Sequence, residues 1–177
     1  TGLWIICASI YSFTINYKNS INIKILKFFL KNNALIAHIG VGILILGITF
    51  SSVYQLEYQK NIKVNEKFIF GKYELNLNSL DVIEKDNFQS LTGNFSLFKG
   101  NKLLSKIMPE KRYYYVSKII TTEAGIYHHP LQDFYLILGD QKNDTWSIKI
   151  YQNPLVSLIW LGVLIMVCAG ILGLSKR

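Results

Sequence analysis

The stretch from Ala34 to Val53 constrains this chain most, because its 20 residues are mostly apolar and contain one ionisable side chain, His38. A helix that crosses a bilayer needs about 20 such residues. An imidazole inside a span is costly unless it has a partner, which makes His38 a candidate functional residue. Two further apolar blocks accompany it, Gly2 to Ile15 and Leu155 to Leu174, and the latter carries no charge over 20 residues. Such an uninterrupted run is a strong spanning signal. The first block is short, starts at Thr1 and has nothing basic before Gly2, unlike a secretory signal. It reads as the truncated end of an earlier span, so the chain is expected to be the C-terminal piece of a longer membrane protein or a split gene product.

The net charge of +8 invites a nucleic-acid reading that its distribution excludes. Lys18, Lys24, Lys27 and Lys31 lie between the first two apolar blocks, and Lys176 and Arg177 follow the third. The segment between the second and third blocks holds all 11 acids and carries only +2. Basic residues flanking spans follow the positive-inside pattern, which puts both flanks in the cytoplasm and the long middle segment outside. No nucleic-acid partner is expected.

From Gln55 to Asn153 the pattern changes to period two. Tyr73 to Asn78 alternates, as does Trp146 to Ile150, and further strands are expected at Lys67 to Phe70, Phe95 to Phe98, Tyr113 to Ile120 and Phe134 to Leu138. Turns are expected at Gly71, Gly93, Lys99-Gly100-Asn101, Met108-Pro109, Gly125 and Gly139-Asp140. The expected fold class is therefore an integral membrane α-helical protein with an inserted extracytoplasmic all-β domain, a small antiparallel barrel or sandwich. Its parts are a truncated transmembrane helix over 1–17, a basic cytoplasmic loop or amphipathic helix over 18–32, and a transmembrane helix carrying His38 over 33–54. An extracytoplasmic β-domain over 55–153, a transmembrane helix over 154–174 and a cytoplasmic tail over 175–177 follow. Asn153-Pro154 is expected to open the last helix, where a proline suits the first turn.

On the second span, steps of 100° per residue put Ala34, His38, Val41, Gly42, Ile45 and Thr49 on one face. The small residues Ala34 and Gly42, one turn either side of His38, leave an opening beside the ring. That opening suits a flat macrocycle whose iron the imidazole ligates, or a second helix that hydrogen-bonds it, or a proton relay. Counted from Lys31 at about 1.5 Å per residue, His38 lies on the order of 10 Å into the membrane on its cytoplasmic side. Gly40 and Gly47 on the opposite face, and Gly162, Met166, Ala169, Gly170 and Gly173 in the third block, read as helix-packing surfaces. The latter stripe implies partner helices outside the chain.

No catalytic constellation stands out in the middle segment. His128-His129 could bind metal, but adjacent strand residues point to opposite faces and the surrounding sequence reads as an exposed turn. Arg112 in Glu110-Lys111-Arg112 could hold a carboxylate or propionate, although such clusters are more often local ion pairs. Cys7 and Cys168 sit singly in apolar blocks and form no Cys-x-x-Cys pair.

Several short pieces, in order, carry a resemblance. They are Ala37-His38-Ile39-Gly40-Val41, Pro109-Glu110-Lys111-Arg112-Tyr113, Thr122-Glu123-Ala124 with Ile126, and Asp133-Phe134-Tyr135 followed by Leu138-Gly139. Trp146 to Tyr151, Pro154-Leu155-Val156, Ile159-Trp160, Gly162 and Met166 complete the series. From Asn33 onward the chain resembles the C-terminal region of the CcmF family of System I cytochrome c maturation. The resemblance implies a haem lyase subunit of the bacterial inner membrane, with its β-domain periplasmic. It implies haem transfer from the chaperone CcmE to apocytochrome c, with CcmH/CcmI-type subunits and quinol as further partners. It also implies a membrane haem b, with His38 as one axial ligand beside Ala34 and Gly42. The fragment alone is not expected to be catalytic; a non-catalytic membrane-anchored scaffold, or a subunit of another b-type quinol redox complex, is the alternative. The chain departs from the family pattern at Lys149 in place of arginine, at Ala169-Gly170, at Ser175-Lys176-Arg177 and at His128-His129, and upstream haem-handling segments are missing from it.

Overall fold

A computed structural model of the chain describes residues 1–18, 28–29 and 31–174. The expected amphipathic helix over Ser20 to Leu30 and the tail over 175–177 fall largely or wholly outside those residues. The chain divides into two units, one of helices (1–54, 130–132 and 154–177) and one of strands (55–129 and 133–153).

The helical unit contains α1 (Gly2–Lys18), α2 (Asn33–Val53) and α3 (Val156–Leu174). Both α2 and α3 are long and apolar enough to cross a membrane. Glycines bring them together: a Cβ on Gly40 would lie 2.8 Å from the Gly162 carbonyl oxygen, and one on Gly47 would lie 2.7 Å from the Ile159 nitrogen. Backbones can meet at such distances only where side chains are absent. The small-residue stripe of α3 thus finds a partner within the chain: Gly162 and Met166 meet Gly40, and Gly173 approaches Asn33. At its other end, α1 is pinned to α2 through Asn16, whose Nδ2 donates to Asn32 Oδ1 at 2.7 Å. The Phe28 ring packs edge-on against Phe13 beside this contact.

The strand unit is a sandwich, which resolves the barrel-or-sandwich alternative. One sheet has the order β1 (Leu56–Ile62), β10 (Thr145–Pro154), β9 (Gln132–Lys142), β8 (Gly125–Tyr127). The other runs β2 (Lys67–Phe70), β3 (Tyr73–Glu84), β4 (Phe88–Lys99), β6 (Glu110–Tyr114), β7 (Ile120–Glu123), with β5 (Lys102–Ile107) also paired to β4. Antiparallel pairing joins β1 to β10, β2 to β3, β3 to β4, β4 to β5 and β6, β6 to β7, and β8 to β9. Alternation explains the core: Leu75 and Leu77 of β3, Phe95 and Leu97 of β4, Phe134, Leu136 and Leu138 of β9, and Ile148 and Ile150 of β10 are all buried. Their neighbours face outward, as a pleated strand requires. Gly71 (φ 56°) and Gly100 (φ 57°) close hairpin turns that need a left-handed residue.

Three expectations are corrected. Tyr113 to Ile120 is a hairpin rather than one strand: Lys118 takes φ 55° and the Tyr114 N–H donates to the Ile119 carbonyl at 3.0 Å. Gly93 and Gly139 lie inside β4 and β9, where they mark close approach instead of turns. A Cβ on Gly93 would meet the Phe95 ring at 2.5 Å. Pro154 ends β10 rather than opening α3; Leu155 at φ 55° makes the change of direction and helix begins at Val156.

Candidate functional site

His38 sits on the second turn of α2, one turn after Ala34. Its Nδ1 lies 2.7 Å from the Ala34 carbonyl oxygen. A carbonyl only accepts, so Nδ1 donates this bond, and Nε2 is the ring nitrogen that it leaves unengaged. Second bonds of this kind fix the tautomer of an imidazole and leave the other nitrogen as a ligand or proton acceptor.

The ring faces a groove of about 230 Å³ whose lining also includes Trp4, Ile5, Ala8, Ser9, Ser12 and Leu35. Five of those residues belong to α1, so the first helix supplies most of the wall. The sequence pattern did not single them out, because α1 is apolar nearly all round; the only local signal is Ser9 and Ser12, three apart in an apolar helix. Ser9 is buried. Gly42, one turn beyond His38, is occupied by packing: a Cβ there would lie 2.5 Å from Ile6 Cγ1 and 3.0 Å from the Gly2 carbonyl oxygen. Gly42 therefore lets α1 come close enough to form the wall. Ala34 is exposed and contributes its carbonyl.

A bare metal ion needs three or four protein ligands. Among the described residues no group of three His, Cys, Asp or Glu could hold one. A porphyrin-held iron needs from the protein only an axial ligand such as a neutral imidazole, which His38 can provide. The donor chemistry at His38 fits a porphyrin-held iron.

The other singled-out residues lie in the strand unit, apart in sequence from His38. Arg112 is engaged by Glu110 at 2.8 Å and faces Glu123 at 3.8 Å. These bonds, with Glu110 first, raise the guanidinium pKa further, and the ring of Phe88 lies 4.9 Å from it. The local ion-pair reading accounts for Arg112. Lys149 pairs with Glu57 at 2.7 Å across β1 and β10, a hydrogen bond that raises the ammonium pKa. His128 and His129 lie exposed in the connection between β8 and β9.

Comparisons with known proteins agree with this architecture. A family model described as "CcmF C-terminal beta-sandwich" matches residues 53–154. The cytochrome c-type biogenesis protein ccl1 of Rhodobacter capsulatus is 34% identical over 142 residues, covering 80% of this chain and 22% of that protein. The cytochrome c-type biogenesis protein CcmF of Haemophilus influenzae is 29% identical, covering 81% of this chain and 22% of its own length. A solved structure described as "Cytochrome c Heme Lyase CcmF" superposes with a TM-score of 0.80, over 96% of this chain and 29% of that one, at 13% identity. The chain thus spans about a fifth of the curated relatives it matches. With the family model covering more than half of the chain, and covering the whole sandwich, the protein belongs to the CcmF family of cytochrome c-type biogenesis proteins and carries its C-terminal β-sandwich.

Proposed function

We propose that this chain is the C-terminal region of a membrane haem lyase of cytochrome c biogenesis, in which His38 is one axial ligand to a haem b held among the spans. The observation that carries the reading is the 2.7 Å contact between His38 Nδ1 and the Ala34 carbonyl oxygen, which leaves Nε2 as the ring nitrogen available to ligate beside a groove. An intramembrane imidazole that bonded a second helix would direct its donor across the interface, whereas this donor turns back onto its own helix. Bound there, haem supplies one-electron chemistry that would keep an incoming haem iron reduced at the expense of quinol.

The residues of the chain do the rest. Ala34 holds the ring through its carbonyl, Gly42 admits α1, and Ser9 and Ser12 line the groove that would take the macrocycle. The groove is smaller than the roughly 300–1,000 Å³ of a full ligand pocket. The remaining wall would come from parts of the whole protein outside this region. The apolar lengths of α2 and α3 support embedding in the bacterial inner membrane. The basic flanks support a periplasmic sandwich, where it would dock CcmE, CcmH/CcmI-type subunits or apocytochrome c.

The test is complementation of a strain lacking the whole protein, using a full-length gene that ends in this region. Unaltered sequence is expected to restore c-type cytochromes, and His38→Ala and His38→Asn to leave haem-loaded chaperone accumulating. Normal maturation in His38→Asn would reject the ligand role and favour the scaffold reading, since Asn preserves a side-chain hydrogen bond.

A further inference from the structure

Asn32 stands at the cap of α2, yet its side chain makes no capping bond to that helix. A capping asparagine ordinarily accepts a backbone N–H of the first turn. Here the residue is buried, and its Nδ2 donates to the Phe28 carbonyl at 2.9 Å. That bond sets the orientation of the amide, since a carbonyl only accepts. Asn32 Oδ1 is thereby turned toward Asn16 on the last turn of α1, whose Nδ2 donates to it at 2.7 Å. The buried amide is committed to the facing helix instead of its own.

Asn16 ends a stripe of α1. Gly2, Ile5, Ser9, Ser12 and Asn16 follow one another at alternating steps of three and four residues, which places them on one side of the helix. Both ends of the stripe meet α2. Asn16 does so through Asn32, and Gly2 through Gly42, where a Cβ on either glycine would lie 3.0 Å from the other's carbonyl oxygen. Ile5, Ser9 and Ser12, between these two fastenings, line the groove that His38 faces. His38 lies between the matching positions of α2, six residues after Asn32 and four before Gly42. The two fastenings differ in kind. Packed glycines allow a slide along the seam, whereas an amide pair keeps its hydrogen bond in one register only. A single polar residue in an apolar helix seam specifies register for this reason.

We propose that Asn16 is a positioning residue for the His38 groove: its bond to Asn32 sets the register of α1 on α2 and so holds Ser9 and Ser12 in the wall beside the imidazole. The inference rests on the reading of His38 as a haem ligand and adds to it the residue that fixes the wall. The shell around a metal centre controls access and local polarity, and through them the reduction potential.

The test uses the whole protein ending in this region, with its native cysteines replaced and Ser12→Cys and Leu35→Cys introduced across the groove. Disulfide formation is first timed in a His38→Ala background, so that this arm needs no haem ligand at the groove. Asn16→Leu and Asn32→Leu are each expected to slow it about 3–30-fold, the range for an interhelical hydrogen bond in a membrane. The double variant is expected to be no slower than either single one, because the two residues share one bond. Asn16→Gln, which keeps a donor amide, is expected to recover most of the rate. The second arm restores His38, Ser12 and Leu35 and measures the midpoint potential of the bound haem. Asn16→Leu is expected to retain haem and lower its potential, since a loosened wall admits polar surroundings that favour the ferric state, and Asn16→Gln to return it toward the parent value. Cross-linking unchanged in both leucine variants would overturn the proposal, as would cross-linking that slows while the potential stays at the parent value. A parent protein without haem sinks the ligand reading alone, since the first arm decides the register by itself.

Discussion

Single residues show how neighbours set chemistry. His38 was legible in the sequence as a costly polar group in an apolar run, but its tautomer was not, because that depends on a carbonyl one turn away and on ring orientation. The role of Gly42 was legible only as smallness; the structure shows that Ile6 takes the space. In the strand unit, Glu66 accepts the Lys63 backbone N–H at 2.9 Å and pairs with Lys60 at 2.9 Å, and the backbone bond is the larger cause of its lowered pKa. A carboxyl whose pKa is depressed by folding stabilises the fold above its ordinary pKa, and that contribution is lost as pH falls through the folded value. Urea midpoints measured from neutral pH down through the carboxylate range are expected to fall less steeply for Glu66→Gln than for the unaltered chain. Parallel curves would show that Glu66 contributes nothing to the acid limb.

At the level of elements, close approach is the recurring device. Gly162→Leu must push α2 and α3 apart, since a Cβ alone would meet the Gly40 carbonyl oxygen at 2.7 Å. Overpacking of this kind costs about 1–3 kcal/mol. Gly170→Ala meets nothing within 4 Å and is expected to be neutral or slightly stabilising. Thermal unfolding of the chain in detergent should separate the two variants, and equal midpoints would contradict the packing account. Gly93→Val in β4 is expected to cost a similar ~1–3 kcal/mol in urea unfolding, through its clash with the buried Phe95 ring. Alternation made the start of β3 and much of β10 readable, and short apolar runs did so for β2, part of β4 and much of β9. Local composition hid the rest: Gly93 and Gly139 look like turns until the facing side chains are known. The β6–β7 hairpin turns on Lys118 without a glycine to announce it. The outward lysines of β1 and β5 dilute their apolar pattern, and β8 spans only three residues.

For the whole molecule, the sandwich and the apolar helices are two units joined by chain continuity, and the family membership rests chiefly on the sandwich. Sequence order conveyed that membership more fully than periodicity did, since alternating strands alone leave barrel and sandwich equally open. The candidate site is another matter. Its wall comes from α1, and α1 lacks the patterned face that would have pointed to His38. The chain spans about a fifth of the length of the curated relatives it matches, and His38 is the imidazole that the proposed function assigns to haem. The most direct measurement is the reduced-minus-oxidised haem spectrum of the chain purified together with the upstream part of the protein. The account predicts a six-coordinate b-type spectrum that disappears in His38→Gly and returns when free imidazole is added. A b-type spectrum unchanged in His38→Gly would contradict it.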